Sequence, residues 1–69
     1  MMQLTEMELL LIGQQLRAEA LAIAKYDSCA QQSNDPRLQQ MYATAADRHR
    51  SHYETLMRQV QSFAPQRQF

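Results

Sequence analysis

Apolar side chains recur in steps of three and four along two long stretches, parted by one short polar break. In the first stretch Leu9, Ile12, Leu16, Glu19, Ile23, Tyr26 and Ala30 keep that spacing without interruption, the period of one face of an α-helix. One member of this stripe, Glu19, is an acid. In the second stretch Leu38, Met41, Tyr42, Ala45, Tyr53, Leu56, Val60 and Phe63 make a stripe, with His49 and His52 inside it. Gln39, Gln40, Asp47, Arg50, Glu54, Arg58 and Gln61 form the wet side. The break is Ser33-Asn34-Asp35-Pro36. Asp35 suits an N-cap and Pro36 a first helical residue, and the residue before a proline is pushed out of helical conformation. Thr5 and Glu8 have the spacing of a capping box, and Pro65 closes the second stretch. With strong helix formers throughout, the pattern predicts an all-α, antiparallel two-helix hairpin in a single domain, residues 1–69. Its helices span about residues 5–32 and 36–63, joined by a turn at 33–35, with frayed ends that include the tail 64–69.

The first helix carries more apolar surface than the second can cover. Met7, Leu10, Leu11, Ala18, Leu21, Ala22 and Cys29 form a further flank, and the polar arc around Gly13, Arg17, Asp27 and Gln31 is narrow. An exposed patch of that kind marks an interface. The simplest closure is a two-fold homodimer in which two hairpins make a four-helix bundle. Length points the same way, because a 69-residue chain builds only a marginal core without added support. Cys29 is the only cysteine, so no internal disulfide supplies it. Metal, self-association or very regular helix packing remain.

Seven basic residues balance seven acidic ones, which leaves no electrostatic footprint for nucleic acid or acidic lipid. Arg37, Arg48, Arg50 and Arg58 point in different directions on the second helix. No apolar run approaches the length of a membrane span and no leader is visible, so a soluble chain in the reducing cytoplasm is expected. There is no phosphate-binding glycine loop, no Gly-x-Ser-x-Gly elbow and no Cys-x-x-Cys pair. No catalytic residue is assigned, and an enzyme is not expected.

One group of residues has candidate chemistry. If the turn centres near Asn34, Glu19 and His49 stand equally far from it and share a level in the hairpin. His52 lies one turn further, about 4.5 Å along the axis. A carboxylate and two imidazoles then converge in an otherwise apolar seam. The plainer explanation is a satisfied polar network: a buried carboxylate needs a partner, His49 or His52 supplies it, and the hydroxyls of Tyr26, Tyr42 and Tyr53 extend it. The sharper one is a metal site, because carboxylate oxygen and neutral imidazole suit Zn, Fe, Mn or Ni and bundle cores are where helical proteins build such sites. Cys29 reads as a structural thiol, the methionines as gap fillers, and Gly13 as either a close-approach point or a tolerated surface glycine.

The run Leu16-Arg17-Ala18-Glu19-Ala20-Leu21-Ala22-Ile23-Ala24-Lys25-Tyr26 resembles the first helix of small spore coat F-like proteins of the ferritin-like superfamily. The run Asp47-Arg48-His49-Arg50-Ser51-His52-Tyr53-Glu54-Thr55-Leu56 resembles the second. The likeness extends from about Leu4 to Val60. It implies a ferritin-like bundle and a spore-coat or sporulation-associated role, with other coat proteins as partners. In metal-binding members one helix gives a Glu and the next a Glu-x-x-His. Glu19 and His52 match that pattern, and His49 stands where the second carboxylate belongs. The missing carboxylate is the one that bridges two irons, so the resemblance implies a mononuclear divalent site or a metal-free one rather than a redox di-iron centre.

Overall fold

The computed structural model describes residues 4–63. The expectations for the two chain ends (residues 1–3 and 64–69) and for Pro65 lie outside these residues. Two helices account for the fold, α1 (Glu6–Gln32) and α2 (Pro36–Phe63), with no strand among the described residues. They pack against each other as a hairpin, and the molecule measures 50 × 19 × 17 Å. None of the described helices is long and apolar enough to cross a membrane.

The ends of the helices are set by local chemistry. At the start of α1 the Thr5 hydroxyl accepts from the Glu8 amide at 3.1 Å, and the Glu8 carboxylate accepts from the Thr5 amide at 2.9 Å. Two amides that the helix leaves unpaired are thereby satisfied. At its end the Ser33 amide donates to the Cys29 carbonyl at 3.0 Å, after which Ser33 turns to an extended backbone. At the start of α2 the Asp35 carboxylate accepts from the Arg37 amide at 2.9 Å, and the Asp35 carbonyl accepts from the Gln39 amide. The Gln39 side chain closes the turn by donating to the Ser33 carbonyl at 2.6 Å.

The seam between the helices is narrow. One series of shielded positions runs through Ile12, Leu16, Glu19, Ile23, Tyr26 and Ala30 on α1 and another through Tyr42, Ala46, His49, Tyr53, Leu56, Val60 and Phe63 on α2; Ala22, Cys29, Ala45 and Met57 beside them are half-buried as well. Both series step by three and four, the knobs-into-holes period. The α2 stripe differs from the sequence expectation. Ala46, not Ala45, lies at its centre with no exposed surface, while Leu38, Met41 and His52 fall on or beyond its shoulder and are exposed. Leu9 is also exposed. A long run of apolar residues is wider than a two-helix contact can cover, and only Ala46 among the described apolar residues sits fully inside it.

Gly13 has no close-approach role: a Cβ there would meet only the Arg17 guanidinium, at an ordinary 3.6 Å. Asp27 and Arg50, both assigned to wet sides, pair across the hairpin instead, and Arg50 also reaches Asp47 at 3.2 Å. Long side chains on the rims of the two helices span the seam that their backbones only flank.

Because Ala46 is the one fully enclosed apolar side chain among the described residues, Ala46→Leu is expected to wedge the helices apart. The cost is about 1–3 kcal/mol, read as a lower urea midpoint at matched protein concentration. Thr44→Leu, on the exposed side, is expected to be close to neutral.

Candidate functional site

Glu19 occupies a seam position of α1, and only 7% of its surface is accessible. A carboxylate there loses water on most sides and must find donors. His49 comes from α2 and places Nδ1 2.5 Å from Glu19 Oε1. Gln15, one turn earlier on α1, donates from Nε2 to Glu19 Oε2 at 2.9 Å. His52 Nδ1 stands 3.6 Å from the same oxygen, an electrostatic contact rather than a hydrogen bond. Each carboxylate oxygen therefore has one direct donor, and no buried side-chain polar atom among the described residues is left without a partner.

The ring of His49 is held from two directions. Tyr26 stacks on it with centroids 5.6 Å apart and planes 12° from parallel. Tyr42 lies on Tyr26 in turn, at 6.3 Å and 26°. His52 meets His49 edge-on at 5.6 Å and 84°. Tyr26 thus serves the site through its ring face, where the sequence suggested its hydroxyl. Its place in the α1 stripe, seven residues beyond Glu19, is the signal that puts it there. Gln15 was missed by stripe reasoning. Its signal is the four-residue spacing to Glu19, which sets two side chains on one helix face within hydrogen-bond reach.

The Glu19 carboxyl titrates below the usual carboxylate range. The hydrogen bond from His49 is the main cause; burial opposes it, and the Gln15 hydrogen bond and the charges of both histidines reinforce it. Burial does not prevail because the His49 hydrogen bond outweighs it and three smaller contributions add to that bond. An ionised carboxylate only accepts. The proton in the 2.5 Å contact is therefore assigned to His49 Nδ1, which leaves Nε2 as the other site on that ring.

As a cation site the cluster has suitable donors. One ligand atom from each of Glu19, His49 and His52 lies within 4.8 Å of the others, and three protein donors leave an open position of the kind divalent ions fill with water. The spacing, however, belongs to a hydrogen bond. Ligands around a tetrahedral Zn stand roughly 3.3 Å apart, given bonds of about 2.0–2.1 Å, so the 2.5 Å contact must open and give up its proton before an ion enters between those atoms. No protein-family model, no curated protein and no solved structure matches the chain.

The lowered carboxyl sets a direction for acid behaviour. Glu19 adds stability that is complete above its ordinary value of 4.5 and is lost as pH falls through its lower value in the folded chain. Glu8, lowered by its hydrogen bonds at Thr5, acts in the same direction. Urea unfolding followed from about pH 6 to about pH 3 is expected to lose stability in the lower half of that range. Glu19→Gln is expected to make that decline shallower, and an unchanged pH profile would remove the pair as its source.

Proposed function

We propose that this chain acts by self-association: it is one half of a four-helix bundle, completed by a second copy, and its work is assembly rather than catalysis. The observation that carries this is the distribution of apolar surface. Among the described residues Ala46 is the one buried apolar residue, while Met7, Leu10, Leu11, Leu21 and Met41 are all more than half exposed. A helix pair of this kind leaves most of its hydrophobic driving force unused. The resemblance to coat F-like proteins supports a cytoplasmic or spore-coat setting, with other coat proteins as further partners.

Light scattering and sedimentation at micromolar concentration are expected to give twice the chain mass, with a melting temperature that rises with protein concentration. A monomer whose melting temperature is independent of concentration would overturn the proposal.

A second reading is favoured by one observation, the convergence of three donors from Glu19, His49 and His52. On this reading the dimer is a divalent-metal-binding protein of ferritin-like type, holding Zn, Fe, Mn or Ni. Protein purified without added metal is then expected to carry close to one equivalent and to gain thermal stability on addition of the ion, since a ligand of the native state raises stability. Glu19→Gln is expected to abolish both effects. Metal content below about 0.1 equivalents together with no thermal shift would reject it.

A further inference from the structure

The two broad sides of the hairpin differ in character. Asp27 and Arg50 bridge the helices on one side, and Gln15, Glu19 and His52 meet on the other. On that second side α1 carries another uninterrupted series with steps of three and four: Glu8, Leu11, Gln15, Ala18, Ala22, Lys25 and Cys29. Ala18 and Ala22 in its middle are small, Leu11 is 55% exposed, and the charges are an acid near one end and a base near the other. The corresponding face of α2 holds Leu38, Met41, Ala45, Arg48, His52, Thr55 and Gln59, with no acid.

From this pattern, and resting on the self-association proposed above, we infer that the second copy docks on the Glu19 side, its α1 antiparallel to the first. Set antiparallel about a two-fold axis near residues 16 and 17, the series is complementary to itself. Glu8 faces Lys25 of the other copy, Leu11 faces Ala22, and Gln15 faces Ala18, each contact occurring twice because the interface is isologous. A parallel arrangement sets Glu8 against Glu8 and Lys25 against Lys25. Docking α1 on the partner's α2 leaves Lys25 against a face with no acid and one arginine. Only the antiparallel pairing gives each end of the series an opposite charge, which is how interfaces fix register and exclude alternatives.

The consequence concerns the polar cluster. Glu19 and His49 share a level in the hairpin, so the level of residues 16 and 17 on α1 corresponds to that of residues 51 and 52 on α2. The two-fold axis then passes beside His52, the most exposed member of the cluster at 59% of its side chain. His52 of each copy comes next to its equivalent, and the two Glu19–His49–His52 clusters become one site to which both chains contribute. A single chain presents only half of it.

Two measurements test the geometry. In a Cys29→Ser background, Leu11→Cys combined with Ala22→Cys is expected to form intersubunit disulfides on mild oxidation. Ala20→Cys with Ala24→Cys, on the Asp27 side, is expected to form none. Lys25→Glu is expected to weaken the dimer about tenfold by setting acid against Glu8 at two symmetric places. Adding Glu8→Lys is expected to restore affinity above that of either single variant, a comparison that corrects for the cap Glu8 also supplies. A dimer that persists without the 11–22 disulfide, or with additive charge effects, overturns this inference and leaves self-association standing. A chain that stays monomeric overturns both.

Discussion

A carboxylate set into the contact face of one helix must be answered by a donor from the other, and this requirement governs how the two helices meet. Glu19 stands where the heptad of α1 calls for an apolar side chain, and His49 stands at the matching level of α2. Sliding one helix by a heptad would leave Glu19 opposite Tyr42 or Leu56 and leave its charge unanswered. Apolar contacts alone discriminate weakly between such registers, since Leu, Ile, Val and Tyr replace one another along both stripes. The Glu19–His49 pair acts as the register key, a role for which buried polar residues at helix contacts are well suited.

The aromatic rings serve that same pair. Tyr26 comes from the helix that carries Glu19, yet it packs on the imidazole from the opposite helix. The ring of His49 is thus confined by stacking while its Nδ1 is confined by the carboxylate. Gln15 holds the second carboxylate oxygen from the other direction. The result is a small polar centre in a seam whose one fully enclosed apolar residue, among those described, is an alanine. Stability at this level comes from satisfied contacts along a narrow line and not from a deep core. It also explains why the apolar surface left over matters so much for a chain of 69 residues: a second layer of helices would convert a line of contacts into a core.

The same cluster bears on chemistry in a graded way. Its donor types suit a divalent cation, but its closest contact is that of a hydrogen bond, which makes proton loss part of any binding between Glu19 Oε1 and His49 Nδ1. Charge counting agrees. One carboxylate per chain offsets half the charge of a divalent ion, so a site built by two chains balances one ion better than a site built by one.

The sequence by itself determined the hairpin: the stripes, the Thr5–Glu8 box, the Asp35-Pro36 start and the near-absence of breakers are local features, and helices are made of local contacts. It also made the approach of Glu19 to His49 legible, because equal distances from a short turn fix a shared level. It did not separate Ala46 from Ala45, exclude His52 from the seam, or pair Asp27 with Arg50. Those outcomes depend on how far each helix is rotated about its own axis when the two dock. That rotation shows in the enclosure of Ala46 and in the reach of Arg50 to Asp27 across the rim, outcomes that exist only once both helices are placed together.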